Sequence, residues 1–297
     1  MSYLGNGADE AHLVYNFALP PLILHAFQTS QADLLSDWAD DLELPAGGGS
    51  FLNVLATHDG IGLNGARGIL TEQQIEELIH CMEPYAAGTS RRSNPDGTSS
   101  PYEINANFLD ALDAVPNMQD VGLQAARFVT AHAIMLSLKG VPGIYFHSLF
   151  GSRGWHEGVK RSGRPRTVNR EKLLLPELDR ELSDPKSLRA RVLEGMRRVL
   201  DIRRTSTAFA PDAEQGVLRA GQGIFACTRS GGANNEEVLC LHNVTPASQE
   251  FPCSMWKVGG RAVRVAEDMG RRAAVEWSTL TRLRLAPYES IWLRMRN

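Results

Sequence analysis

The sequence lacks the features that mark zinc-binding, disulfide-stabilised, secreted and membrane-spanning proteins. Its four cysteines, Cys81, Cys227, Cys240 and Cys253, show no CxxC spacing, which argues against a zinc site or a disulfide framework. No apolar run approaches the roughly 20 residues of a membrane span, and residues 1–13 lack the basic start and apolar run of a secretory signal. We therefore expect a cytoplasmic protein without a metal or other cofactor and without a membrane partner.

An excess of charge of one sign is also missing. The 297 residues contain 31 Lys and Arg against 34 Asp and Glu, which leaves a net charge of −3. Nucleic-acid-binding domains usually carry a marked basic excess, so we expect no nucleic-acid partner. The length suits one large domain or two smaller ones with a sizeable core.

The chain divides into two regions with different hydrophobic patterns. In residues 1–205, short apolar runs near 12–17, 51–57 and 141–146 alternate with amphipathic helical patterns. This alternation indicates three βα units on a parallel sheet. Residues 206–297 instead show the period-2 pattern of an antiparallel sandwich. The sequence therefore predicts an α/β domain over 1–205 and a β-sandwich domain over 206–297.

Local signals predict where several helices begin. Pro20 and Pro21 suit a first helical turn, and Thr71 with Gln74 forms a capping box. The remaining predictions are a helix at 120–138, a final helix capped at Asp184 and Pro185, and long loops at 86–102 and 147–184.

The most informative motif is His58-Asp59-Gly60, which follows the second apolar run. In βα-barrels this position is the carboxyl end of a strand, where active sites are built. A carboxylate there can bind sugar hydroxyls or stabilise positive charge. A purely structural explanation is equally good: a strand-end Asp-Gly turn beside a histidine whose ring nitrogens are hydrogen-bonded. A metal-dependent phosphohydrolase is disfavoured. The His-Asp pair of those enzymes lies in an all-helical fold, whereas here the pair follows a strand-like run.

The segment 151–172 carries a charge of +5. A basic segment beside a barrel face would suit phosphate or another anion, whereas internal ion pairs in a solvated loop are the alternative. Its charged residues are Arg153, Glu157, Lys160, Arg161, Arg164, Arg166, Arg170, Glu171 and Lys172.

Glu103, next to Tyr102, has two interpretations. It could contact substrate, or it could belong to a helix start before Phe108. The sequence alone favours the helix start.

Five segments together resemble the sucrose phosphorylase group of the α-amylase superfamily, glycoside hydrolase family 13. The first two are specific to this group when they occur together, and all five are collinear with the family. They are LVYNFALPP at 13–21, THDGIG at 57–62, PDG at 95–97 with YEIN at 102–105, GVPGIY at 140–145 and GRPRTVNR at 163–170.

The resemblance implies a (β/α)8 TIM barrel followed by a small antiparallel β-sandwich. This chain would hold the C-terminal portion, about strands 6–8 and the sandwich. The implied reaction is reversible phosphorolysis of an α-glucoside to α-glucose 1-phosphate with retention, so the implied partners are a sugar and inorganic phosphate. Retention needs a nucleophile and an acid/base carboxyl about 5 Å apart.

The resemblance also assigns roles to individual residues. Asp59 matches the carboxylate that stabilises the transition state, and His58 matches its donor-site neighbour. Arg166 matches an arginine at the donor sugar. Tyr102 and Glu103 match a loop that contacts phosphate or acceptor.

The family's two covalent-chemistry carboxylates have no counterpart in this sequence. They follow the fourth and fifth barrel strands, and the chain opens after the fifth. We therefore expect the 297-residue chain alone to be inactive. A truncation, a broken gene, a frameshift and a separately encoded N-terminal half are all compatible with this. The alternative function is a non-catalytic carbohydrate-binding or interaction module.

The acceptor is the remaining question, with sucrose, sucrose 6-phosphate and glucosylglycerate as the known alternatives in the group. Glu103 and the basic segment that includes Lys160 resemble the members with anionic acceptors. Pro101 stands where the sucrose 6-phosphate enzymes tend to carry a phosphate-binding histidine. We therefore favour glucosylglycerate over sucrose 6-phosphate.

Overall fold

The computed structural model describes residues 4–7, 9–45, 48–114, 120–232 and 235–296. The first three residues and the last one, which belong to the two predicted domains, lie outside these ranges. In chain order the first part contains β1 Leu13–Tyr15, α1 Leu19–Thr29, α2 Asp33–Asp40, β2 Ser50–Val54, β3 Ile61–Gly62, α3 Glu72–Met82, β4 Thr89–Ser93, β5 Ser99–Ile104, α4 Phe108–Leu112, α5 Val121–Ser137, β6 Val141–Gly143, α6 Phe146–Leu149, α7 His156–Ser162, α8 Leu175–Ser183 and α9 Leu188–Arg204.

The second part consists of strands joined by turns. They are β7 Glu214–Leu218, β8 Ile224–Gly231, β9 Glu236–Asn243, β10 Gln249–Pro252, β11 Lys257–Val258, β12 Arg261–Ala262, β13 Val265–Asp268, β14 Ala273–Val275, β15 Arg282–Leu285 and β16 Ser290–Arg296.

Strands β1, β2 and β6 form a three-stranded parallel sheet in that order, which confirms the three predicted parallel strands. The buried Asn53 lies in the central strand. Its Nδ2 donates to the Lys139 carbonyl at 2.9 Å, and its Oδ1 accepts from Asn16 Nδ2 at 3.1 Å. Because a buried polar group is stable only when it is paired, Asn53 helps to fix the two neighbouring segments.

The helix-start signals at Pro20, Pro21, Thr71 and Asp120 are confirmed. Both prolines lie in the first turn of α1, Thr71 makes the capping box of α3, and Asp120 caps α5. The final helix α9 begins later than predicted. Ser187 caps it, with Oγ accepting from the Ala190 amide at 3.1 Å.

The two predicted long loops are wrong. Residues 86–102 include strand β4 and most of β5, which form a hairpin, and β3 pairs with the far side of β5. The polar composition hid these strands, because cross-strand hydrogen bonds rather than apolar burial hold much of the hairpin. In the predicted turn, the Gly97 amide donates to the Asn94 carbonyl at 3.1 Å. Residues 147–184 contain all of α7 and α8 and the end of α6, which are short helices.

The C-terminal strands form an antiparallel sheet in the order β14-β13-β16-β9-β8-β7, as the period-2 pattern predicts. Alternate side chains of β8 enter different apolar clusters. Ala226 packs with Phe251 and Trp277 of the C-terminal strands and turns, whereas Phe225 and Cys227 join the core that includes α5. The sheet is therefore buried on both faces.

The buried Arg229 and the partly buried Arg203 tie the βα region to the chain that follows it. Arg229 on β8 donates to the Ser137 carbonyl at 3.0 Å and the Ala210 carbonyl at 2.9 Å. Arg203 on α9 donates to the Phe209 carbonyl at 2.9 Å, and burial lowers its pKa to about 10. In the described part of the chain neither guanidinium pairs with a carboxylate. Main-chain carbonyls therefore satisfy both cations.

The four cysteines are free thiols; Cys81 is exposed, whereas Cys227, Cys240 and Cys253 are buried. Within the described ranges, no helix has the length and apolar character needed to cross a membrane. In the same residues, no group of three or more His, Cys, Asp or Glu side chains is arranged to hold a metal ion.

Buried His132 should make stability depend on pH. Burial in α5 lowers its pKa from 6.5 to about 4, so below pH 6.5 the unfolded chain binds the proton more strongly than the folded one. The free energy of unfolding therefore falls as the pH drops from about 6.5 to 4, and His132 accounts for about 2 kcal/mol between pH 7.5 and 5. In urea denaturation, the free energy of unfolding of His132→Leu should fall less between pH 7.5 and 5 than that of the unmodified chain, by this amount. The same change at His80, whose side chain is 84% exposed, is the control. Parallel curves for His132→Leu and the unmodified chain would contradict the assignment.

Candidate active site

A cavity of about 1130 Å³ opens at the carboxyl ends of β1 and β2. Residues that follow these strands line it, together with part of the hairpin and one arginine from the segment after β6. Because carboxyl ends of parallel strands share one edge of a sheet, residues far apart in sequence meet there. Those used below are Tyr15, Phe17, His58, Asp59, Tyr102, Glu103 and Arg166.

Asp59 lies between basic groups at the cavity. Its Oδ1 accepts from Arg170 Nη2 at 2.7 Å and lies 3.4 Å from Arg166 Nη1. The neighbouring His58 Nε2 is 3.8 Å from the same oxygen. The Asp59 side chain is 34% exposed and that of His58 is 67% exposed, so both remain accessible to a ligand.

Glu103 is buried on β5, so the helix-start interpretation is wrong. Its carboxylate accepts from Arg166 Nε at 2.9 Å, from Arg166 Nη2 at 2.5 Å and from the Gly60 amide at 3.2 Å. The bidentate bond raises the pKa of Arg166. Glu103 thus connects the hairpin to both the loop after β2 and the segment after β6.

Arg170 was not among the predicted site residues, although it ends the GRPRTVNR motif. Besides holding the Asp59 carboxylate, its Nε donates to the His58 carbonyl at 3.0 Å. A 3₁₀ helix, Pro165–Asn169, lies between Arg164 and Arg170. The four-residue spacing from Arg166 was the available signal, because one helical turn can bring both arginines to the same carboxylate.

Tyr102 and Lys160 lie in different places. Tyr102 lines the cavity, and its carbonyl accepts from the Leu63 amide at 2.9 Å. Lys160 is exposed on α7 and is not among the residues that line the cavity. The structure therefore brings Asp59, His58 and Tyr102 together with the Glu103–Arg166 pair, but not with Lys160.

Part of the +5 charge of residues 151–172 is neutralised by ion pairs. Arg153 contacts Asp110 and Asp113, each at 2.7 Å, while Arg166 and Arg170 contact carboxylates at the cavity. In the described ranges, the remaining cations of the segment form no ion pair; they are Lys160, Arg161, Arg164 and Lys172.

Tyr145 lies close to the charged groups at the base of the site. Burial raises the pKa of its hydroxyl, and Asp59 raises it further, although Arg170 lowers it. The hydroxyl donates to the Asn169 carbonyl at 2.6 Å. Tyr145 therefore acts here as a neutral hydrogen-bond donor.

Structural comparison gives the fold class. The chain superposes on sucrose 6F-phosphate phosphorylase from Thermoanaerobacter thermosaccharolyticum with a TM-score of 0.64 and 18% identity, over 82% of this chain and 45% of the other. It superposes on the AmyP–maltose complex with a TM-score of 0.64 and 11% identity, over 99% and 53% of the two chains. The chain therefore has a mixed α/β fold similar to part of the α-amylase-like proteins.

Sequence comparison is more specific, although no protein-family model matches. Glucosylglycerate phosphorylase from Spirochaeta thermophila is 42% identical over 99% of this chain and 50% of its own length. The Escherichia coli protein of the same name is 37% identical, again over 99% and 50%. Sucrose phosphorylase from Bifidobacterium adolescentis is 24% identical over 71% of this chain and 41% of its own length.

The chain spans about half the length of the curated relatives it matches. Its sequence is similar to the glucosylglycerate and sucrose phosphorylases and corresponds to a C-terminal part of them. The predicted family resemblance is confirmed.

The ion pair between the buried Glu103 and the partly exposed Arg166 should contribute to stability. Glu103→Gln would place an amide N–H₂ group against Arg166 Nη2 and remove the negative charge that accepts both bonds of the guanidinium. We expect the free energy of unfolding at pH 7 to fall by about 1–3 kcal/mol, as measured by urea denaturation. Glu250→Gln is the matched control, because Glu250 pairs with Arg282 at 3.0 Å where both side chains are more than half exposed; a change of about 0–1 kcal/mol is expected there. Equal effects of the two variants would contradict this account.

Proposed function

We propose that this chain is the C-terminal part of a retaining α-glucoside phosphorylase. In this proposal β1, β2 and β6 are the sixth, seventh and eighth strands of a (β/α)8 barrel, residues 1–205 are its partial catalytic domain and 206–297 its sandwich domain. The chain order of the parallel strands supports this assignment. In the described residues β1 and β6 each pair only with β2, which leaves their outer edges available to further strands.

The exposed aromatic residues at the end of β1 and just after it fit the same proposal. Tyr15 and Phe17 are each 51% exposed and stack with ring centroids 5.2 Å apart at the cavity. Large exposed aromatic groups beside an open sheet edge are typical of a surface that another element covers. The length of the relatives that this chain does not span would supply the missing strands. A separately encoded half remains the alternative source.

The observation that carries the proposal is the position of Asp59. Its carboxylate lies at the carboxyl end of a parallel strand and beside a large cavity, and two arginines orient it. Glycoside cleavage develops positive charge on the sugar ring, which a fixed carboxylate stabilises. Asp59 is thus the transition-state stabiliser, and His58 binds the donor sugar beside it.

The remaining site residues would contact the donor sugar, phosphate and acceptor. Arg166 has two of its nitrogens on Glu103, and its Nη1 lies 3.4 Å from Asp59 Oδ1, so it would meet the donor sugar beside that carboxylate. Tyr102 and Glu103 bound the cavity on the hairpin side. Lys160, exposed on α7, would attract anionic substrates from a distance rather than contact them.

Glucosylglycerate is the proposed substrate, with cleavage by inorganic phosphate to α-glucose 1-phosphate and glycerate. Support comes from the names of three relatives at 37–42% identity over 99% of this chain, whereas the sucrose phosphorylases match at 24–31% over shorter segments. The nucleophile and the acid/base would come from the part of the relatives that this chain does not span. The chain alone is therefore expected to be inactive.

Phosphate release in the synthetic direction tests this proposal. The chain should release no phosphate from α-glucose 1-phosphate with glycerate, fructose or fructose 6-phosphate. When it is joined behind the N-terminal half of the Spirochaeta thermophila relative, glycerate should become the preferred acceptor. Asp59→Asn in this joined protein should lower kcat by about 10²–10³-fold, because a fixed charge at the developing cation is lost.

Asp96→Asn is the control, because Asp96 lies in the exposed tip of the hairpin and should leave kcat unchanged. Turnover by the chain alone, or an active Asp59→Asn protein, would contradict the proposal. Preference for fructose would refute the glycerate assignment. Sugar binding by a folded joined protein that has no turnover would favour the non-catalytic module instead.

A further inference from the structure

Asn169 is buried at the base of the candidate site, in the 3₁₀ helix Pro165–Asn169. Its side-chain amide donates to the Asp59 carbonyl at 2.8 Å and to the Ala106 carbonyl at 3.0 Å. Its Oδ1 accepts from Asn107 Nδ2 at 3.2 Å. Both amide hydrogens and the oxygen of one side chain are thus used by separate partners.

The main chain of Asn169 is held as well. Its carbonyl accepts from the Tyr145 hydroxyl at 2.6 Å, and Tyr145 immediately precedes α6 after strand β6. Asn169 therefore connects the segment after β6 to two others, the loop after β2 at Asp59 and the end of the hairpin at Ala106. These are the segments that carry the candidate site residues.

The support for the Asp59 main chain comes largely from outside its own loop. Within the loop, the Asp59 amide donates to Thr57 Oγ1 at 3.1 Å. The carbonyls of His58 and Asp59 are both bound by the distant segment, through Arg170 and Asn169 respectively. Two successive peptide groups are thus fixed from one side, and this sets the direction of the Asp59 side chain.

We propose that Asn169 is a positioning residue for Asp59. Its amide fixes the Asp59 peptide so that the carboxylate stays beside the cavity and within reach of Arg170. The docking of the segment after β6 then determines whether the site is assembled. The catalytic consequence rests on the proposed function, whereas the positioning can be measured without any activity.

The test is Asn169→Asp, which keeps the side-chain volume but exchanges the two donor hydrogens for an acceptor that faces carbonyls. The probe is the Nε–H signal of arginine in ¹H–¹⁵N NMR spectra of the 297-residue chain. Arg170 Nε donates to the His58 carbonyl, and its hydrogen-exchange protection should fall by about tenfold or more when that loop loosens. Arg229 Nε, which donates to the Glu214 carbonyl at 3.2 Å, reports the fold away from the site and should stay unchanged.

Asn105→Asp is the matched control. Asn105 is also buried, and its side-chain amide donates to the Gly88 carbonyl at 3.2 Å and to Ser90 Oγ at 2.9 Å. Within the described ranges it makes no hydrogen bond to Asp59. Asn105→Asp should leave the hydrogen-exchange protection of Arg170 Nε–H unchanged. Tyr145→Phe removes only the bond to the Asn169 carbonyl, so it should reduce Arg170 protection to a smaller extent.

If the hydrogen-exchange protection of Arg170 Nε–H is unchanged in Asn169→Asp, the proposal is overturned. If Asn169→Asp also loses the Arg229 signal, the fold has failed, and Tyr145→Phe decides: loss of Arg170 protection supports the proposal, and full protection overturns it. In the joined protein, Asn169→Asp should lower kcat by about 10- to 100-fold with little change in KM for glycerate. Altered Arg170 protection with unchanged kcat would keep the positioning role and refute the catalytic role proposed for Asp59.

Discussion

A carboxylate buried at the edge of a small sheet must be paired with a cation, and Glu103 is paired with Arg166. The two residues are 63 positions apart. Glu103 lies on the hairpin, and Arg166 lies in the segment after β6. Their bidentate bond holds the hairpin against the segment after β6, and the Gly60 amide adds the loop after β2. The cavity is formed where the hairpin, the segment after β6 and the loop after β2 meet. Its shape therefore depends on the ion pair between Glu103 and Arg166.

The sequence was a good guide where the signal is local. The capping box at Thr71, the cap at Asp120 and the three short apolar strands all appear in the structure where they were predicted. The position of His58 and Asp59 at a strand end was also recognisable, because an apolar run gives way there to glycine. Each of these features is encoded by residues within a few positions of one another.

The remaining features depend on contacts between distant residues. The partners of Glu103 could not be read from spacing, because they arise only when three segments fold together. The spacing of Arg166 and Arg170 signals a shared carboxylate but could not identify it as Asp59. The hairpin strands were missed because their faces are polar, with Arg91 bonded to Ser99 rather than packed in a core. The short helices after β6 were missed because ion pairs such as Arg153–Asp110 anchor that segment in place of an apolar stripe.

The distribution of the four thiols has a practical consequence. Cys81 on α3 is exposed, whereas Cys227, Cys240 and Cys253 are buried in the C-terminal strands and turns. A maleimide dye should therefore attach at a single position, on a helix of the βα region and away from the C-terminal sheet. With a second label on another chain, this single dye, attached without mutagenesis, would let energy transfer measure how close that chain comes to the open sheet edges.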